Sequence, residues 1–169
     1  SLHDALPIYE TVPGHYSHHP AASLPASDNL GVQIRLIAGN GFCLKSPVPV
    51  LSPTLYANVQ MQTATTLLIP DEHEERAVYV LEGDVQLDGE PLEVHSLVVL
   101  PSGQEMTLSA ETDCHLMVFG GAPLDGPRRI NWNFVASDPA VIEQARQRWA
   151  AADWPTVPGE TERIELPVR

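Results

Sequence analysis

The sequence predicts an all-β fold with antiparallel strands and one C-terminal helix. Three observations carry this. About eight short apolar segments, each bounded by turn residues, follow one another between residues 32 and 119. Residues 54–63 alternate without a break, with Leu55, Ala57, Val59 and Met61 on one face and Tyr56, Asn58, Gln60 and Gln62 on the other, the period of a half-buried strand. A single helical stripe occurs, near the end of the chain. Many short strands at regular spacing favour a sandwich or barrel over a parallel sheet.

In chain order, residues 1–31 read as linker, because Pro7, Pro13, Pro20 and Pro25, with Gly14 and Gly31, prevent a helix from propagating. Residues 32–38 alternate up to a turn expected at Gly39–Asn40–Gly41. Residues 65–69 form a second apolar run ending at Pro70. The β-branched and aromatic run 76–82 leads into a hairpin expected at Gly83–Asp84, and Asp88–Gly89 is a strong two-residue turn signal. Residues 94–100, 105–109 and 113–119 complete the strands. Ser137–Asp138–Pro139 begins a helix with a capping side chain and a proline in the first turn. Val141, Ile142, Ala145, Trp149 and Ala152 then fall on one stripe, and Pro155 stops it. The tail from 156 to 169 is expected to run extended.

The 169 residues suffice for one domain with a real core, and only three Trp, four Tyr and three Phe are present, so that core is mostly Val, Leu, Ile and Ala. A net charge of −13, with Lys45 the only lysine, opposes direct binding to a phosphate backbone or to an anionic membrane. Cys43 and Cys114 form no CxxC pair, which points to a reducing, cytoplasmic compartment. No apolar run reaches the length of a membrane-spanning helix. The chain begins at Ser1 rather than Met. With the long linker this suggests a fragment.

The stretch from Pro70 to Pro101 resembles a cupin, a small jelly-roll barrel. It has an acidic loop, Tyr79–Gly83 (YVLEG), a hairpin, and a second strand ending at Val99–Gly103 (VLPSG). Further segments are similar to the C-terminal cupin domain of the pirin family: Arg35–Gly39, Ser46–Tyr56, Leu67–Pro70, Val78–Gly83, Phe119–Leu124 and Trp132–Pro139. The resemblance implies a jelly-roll cupin barrel over 32–125, a helix and extended tail over 126–169 packing on the barrel, and a linker remnant over 1–31. It also implies a missing N-terminal barrel. That barrel would hold the iron or other divalent metal of the family's quercetinase-type members, and its His-rich motif is absent here.

Cupin metal sites need two His two residues apart, then a Glu, then a late His, all pointing inward. Aligned on Gly83 and Gly103, those positions fall at Ile69, Asp71, Arg76 and Met106. An apolar residue, one carboxylate, a cation and a thioether do not suit a divalent ion, so no metal or cofactor is expected. His73, among Asp71, Glu72, Glu74 and Glu75, reads as a solvated loop histidine. His15, His18 and His19 have a spacing that could serve Zn or Ni, but they sit in the linker with no Cys or carboxylate nearby. His95 and His115 fall in expected strands. Cys114 and His115 are adjacent there and point to opposite faces, so they cannot meet as nucleophile and base. Ser46 and Ser102 have no assignable base.

Two functions follow. One is a non-catalytic module that completes the pocket of the N-terminal barrel or offers a partner surface. The alternative is a part of a metal-dependent quercetin dioxygenase-type oxidoreductase whose active site lies in that missing barrel. An independent dioxygenase or isomerase using a cavity in this barrel is a further class, disfavoured by the missing ligands.

Overall fold

The computed structural model describes Val12, residues 17–154, Gly159 and residues 162–167. In order, the elements are a 3-10 turn at Ala21–Ser23, β1 (Ala26–Asn29), β2 (Val32–Gly41), β3 (Leu44–Lys45), β4 (Thr54–Met61), β5 (Thr66–Ile69), β6 (Glu75–Glu82), β7 (Val85–Leu87), β8 (Glu90–Leu92), β9 (Leu97–Leu100), β10 (Met106–Ala110), β11 (Cys114–Gly121), β12 (Arg129–Asn131), β13 (Phe134–Ala136) and α1 (Pro139–Ala150). Described residues 17–123 belong to one compact unit, and those from 124 onward belong, with Val12, to a second.

The first unit is the jelly roll. One sheet runs β1-β2-β4-β11-β6-β9 with β3 added to β2, and the other runs β5-β10-β7-β8, every pair antiparallel. Register aligns the inward residues of four strands in rows. Ile34 pairs with Val59, Val59 with Leu116 and Leu116 with Val80, while Leu36, Ala57, Val118 and Val78 form the next row. The second sheet contributes Ile69, Val85, Leu87, Leu108 and Ala110 to the same core cluster. The alternation of β4 is realised in full, with all four predicted inward residues buried.

Four local expectations are corrected. Ala26–Asn29, assigned to the linker, pair with β2 as an edge strand, where a short polar segment needs no apolar face. Residues 1–11 and 13–16 of that linker lie outside the described residues. Gly39–Asn40–Gly41 is strand, and the turn falls at Phe42–Cys43, both with positive φ (53° and 58°). Gly39 is needed for close approach instead, since a Cβ there would lie 1.7 Å from the Thr54 carbonyl oxygen. Gly83–Asp84 does not make a hairpin but carries the chain from one sheet to the other, a corner at which a Cβ on Gly83 would meet the Asp113 carbonyl oxygen at 2.4 Å. Strand β9 starts at Leu97, which leaves exposed His95 in a turn with φ 65°. Asp88–Gly89 does make its two-residue turn, with φ 48° and 88°.

The second unit is a hairpin and a helix. β12 and β13 pair antiparallel, and Asp138 Oδ1 accepts from the Ala140 backbone N–H at 2.8 Å to cap α1, with Pro139 in its first turn. The helix stops at Ala150 rather than at Pro155. Ala152 turns left-handed (φ 59°), and the backbone N–H groups of Ala152 and Asp153 close on the carbonyls of Trp149 and Arg148. Trp132 meets the rings of Phe134 and Trp149 edge-on at 5.5 and 5.3 Å, and Phe134 stacks on Trp154 at 6.0 Å. Trp149 Nε1 donates to the Ile164 carbonyl at 2.8 Å.

Candidate functional site

One end of the jelly roll is the place to look for a site, because the aligned positions converge there. Ile69 ends β5 and Met106 begins β10, and the two are direct cross-strand partners. Ile69 is fully buried. Arg76 is the second residue of β6 and shares the inward phase of Val78 and Val80. Its side chain has no solvent exposure. A buried guanidinium is tolerable only if its donors are satisfied. Nη1 donates to the Pro70 carbonyl at 2.9 Å, and Nη2 donates to the carbonyls of Pro101 at 2.6 Å and Gln104 at 2.7 Å. Asp71 Oδ1 lies 3.2 Å from Nη2 and also accepts from the Gly103 backbone N–H at 3.2 Å. Nε alone is buried without a partner. Arg76 thus ties the loop after β5 to the loop after β9.

The acidic loop lies at the same end, and its Asp71, Glu72, Glu74 and Glu75 are exposed as a wet surface should be, whereas His73 departs from the expectation of a solvated histidine. His73 is buried, and its Nε2 lies 2.8 Å from the Asn40 carbonyl. Glu72 Oε2 accepts from the Phe42 backbone N–H at 3.1 Å, at the left-handed turn of the β2–β3 hairpin. Loop 71–73 therefore fastens that hairpin while Arg76 fastens loop 101–104. The sequence offered one signal for this, a lone arginine at an inward strand position. For the burial of His73 it offered none.

This arrangement has little acid–base or ligand chemistry. A guanidinium offers donors only and has no lone pair for a proton or a metal. The carboxylate of Asp71 is already shared between a cation and an amide. Ile69 supplies no donor atom, and the Met106 thioether is a soft ligand suited to Cu(I) rather than to Fe or Mn. A divalent cation does not fit these residues, and the positive charge of Arg76 would repel one. Among the described residues, no three His, Cys, Asp or Glu side chains are grouped to hold a metal.

The other candidates are separated. Cys114 is buried and His115 lies on the opposite face of β11. Burial pushes the Cys114 thiol up, the Met61 backbone hydrogen bond opposes this, and the Asp113 charge adds to it, so the thiolate needed for nucleophilic attack is disfavoured. Asn58 Nδ2 contacts His115 Nε2 and lies 3.4 Å from Met117 Sδ. Ser46 is buried, donating to the Ile37 carbonyl at 2.7 Å and accepting from the Val48 N–H at 3.1 Å, so its hydroxyl closes a turn. Ser102 is exposed. His18 and His19 are described, and His19 Nε2 lies 3.0 Å from Ser17 Oγ. His15 lies outside the described residues.

Comparison with known proteins gives a consistent set of likenesses. The family profile described as the Pirin C-terminal cupin domain matches residues 56–155. A pirin-like protein of Caulobacter vibrioides is 40% identical over 149 residues, covering 87% of this chain and 51% of that protein. Pirin-1 of Arabidopsis thaliana is 24% identical over 139 residues, covering 77% and 48%. A crystal structure of quercetin 2,3-dioxygenase from Acinetobacter baumannii superposes with a TM-score of 0.78 at 26% identity, covering 84% of this chain and 51% of that one. The chain spans about half the length of these relatives.

Proposed function

The chain belongs to the pirin family, matching its C-terminal cupin domain, and on that premise we propose that it is a metal-free cupin domain with no catalysis of its own. Its role is to complete the pocket of an N-terminal cupin barrel or to offer a surface to a partner. The carrying observation is Arg76. Its guanidinium sits, held by three carbonyls and Asp71, among the residues that align with the cupin metal ligands. A cation fixed in the protein takes the place that a metal ion would need. The two cysteines are free, which suits a cytoplasmic location.

The test is metal analysis of the chain produced with iron, manganese and nickel in the medium, followed by quercetin turnover. The expected outcome is no stoichiometric metal after dialysis and no turnover by the chain alone. A stoichiometric metal that survives dialysis would overturn the reading.

The likeness to quercetin 2,3-dioxygenase favours a second reading, in which the chain is one half of a metal-dependent dioxygenase whose active site lies in the other barrel. In that case, adding the N-terminal half of the Caulobacter relative should restore turnover. Iron or another divalent metal would then be bound by that half alone.

A further inference from the structure

We propose that the groove between the β12–β13 hairpin and α1 binds a small organic carboxylate with an apolar body, gripped by Arg129 and Arg146. The cavity has a volume of about 420 Å³ and is lined by Arg129, Ile130, Asn131, Pro139, Ile142, Glu143 and Arg146. Basic residues are scarce in this chain, and six of the nine lie between residues 124 and 169. Most of those described are already engaged. Arg128 pairs with Asp125, Arg148 pairs with Asp153 and covers the Trp154 ring, and Arg163 covers the Trp149 ring. The two that face the groove are different. The guanidinium of Arg129 makes no hydrogen bond or ion pair among the described residues. Arg146 is held by an amide oxygen, Asn131 Oδ1 at 2.8 Å, which fixes its direction without neutralising it. Its nearest carboxylate, Glu143, is 61% exposed and 3.9 Å away, the limit of an ion pair.

Both arginines line the groove, and a guanidinium offers a carboxylate two parallel N–H donors. The remaining walls select what the carboxylate is attached to. Ile142 is buried, Pro139 lacks an N–H to solvate, and Ile130 presents an exposed apolar side chain. An anion with no apolar body leaves those walls wet. A carboxylate with a compact hydrocarbon body covers them and gains about fourfold in affinity per methylene removed from water. The surrounding charge of −13 opposes entry of any anion, so the local pair must overcome it, and binding should weaken as salt screens the contact.

The experiment titrates the full chain with cyclohexanecarboxylate, acetate and inorganic phosphate, read by tryptophan emission and by ¹⁵N shifts. Emission is informative because Trp132 adjoins Asn131 and Trp149 lies three residues from Arg146. Cyclohexanecarboxylate should saturate and bind about tenfold or more tightly than acetate or phosphate. Arg129→Gln and Arg146→Gln should each weaken it about tenfold or more. Arg35→Gln, which makes the same charge change in the jelly roll, should not. No saturation overturns the proposal, as does equal weakening by Arg35→Gln. Acetate or phosphate binding as tightly also overturns it, since the groove would then hold an adventitious ion only. If Arg146→Gln fails to fold, Arg146→Lys replaces it. That variant keeps the charge, loses the fork, and should still bind about tenfold more weakly.

Discussion

Between residues 26 and 121 the buried side chains are almost all aliphatic, and no tryptophan occurs there. Between residues 129 and 154 lie all three tryptophans, and their rings meet one another and Phe134. The charges divide in the same way. Residues 1–123 carry 15 acidic and three basic side chains, and residues 124–169 carry seven and six. The jelly roll draws its core from two sheets whose strands are distant in sequence. Many small, fully hidden side chains fill it, as the pleat demands. Among its described residues the hairpin–helix unit has three elements, and a few large rings do the same work, each covering about 150–250 Å². Long-range ladders therefore hold the first region and local ring contacts the second. The single interior charge of the first region is correspondingly the costlier thing to disturb.

The largest expected effect is at that charge. Arg76→Ala removes the donors from three carbonyls and empties the space of a fully buried side chain, while the exposed Asp71 keeps its Gly103 N–H. Unsatisfied acceptors and the cavity together cost about 3–5 kcal/mol. Urea unfolding of the variant, followed by far-ultraviolet circular dichroism, should show a midpoint shift of that size. Arg76→Lys should recover only part of it, because an ammonium cannot span the loops after β5 and β9 as the fork does. A midpoint within about 1 kcal/mol of the parent would mean that the guanidinium merely fills space.

A smaller loss is expected from Trp149→Ala, which probes the other region. The ring is half-buried and touches Trp132, Phe134 and Trp154, and its Nε1 donor holds the Ile164 carbonyl. Aromatic pairs contribute about 0.5–1.5 kcal/mol each beyond their area, so a loss of about 2–3 kcal/mol is anticipated. The near-ultraviolet dichroism of the remaining tryptophans should collapse with it. Retention of that signal would show that the ring cluster is not cooperative, and the contrast between the regions would weaken.

The smallest effect belongs to a surface carboxylate of the jelly roll. The backbone N–H of Thr63 and then its hydroxyl hold Asp113 below the ordinary carboxylate range. A depressed folded-state value favours the fold above the unfolded value and loses that contribution as pH falls through the folded one. Stability of the parent should therefore fall with acidification in the window just below pH 4, and part of that slope should vanish in Asp113→Asn. An unchanged slope would place the acid sensitivity in other carboxylates.

How much of this was legible beforehand follows from how far apart the cooperating residues are. The alternation of residues 54–61, the Asp88–Gly89 turn and the Asp138–Pro139 helix start are encoded within a few residues, and each formed as its local chemistry requires. An inward arginine at position 76 was visible for the same reason, since strand phase is a local property. Its partners were not visible. Pro101 and Gln104 lie 25 and 28 residues away, and they become acceptors only once β6 and β9 pair. His73 looked exposed because its neighbours in sequence are acidic. It is buried because Asn40, 33 residues earlier, offers it a carbonyl. Phe42 and Cys43 adopt a turn their own side chains disfavour, since the β2–β3 register and the Glu72 carboxylate hold it there. The sequence by itself determined most of the jelly-roll strands between residues 32 and 119, the apolar face of β4, and where the helix begins, but not the polar edge strand β1 or the β12–β13 hairpin. Only the tertiary structure decided which polar groups are buried and what they bond, because burial and hydrogen bonding depend on neighbours that the chain supplies from a distance.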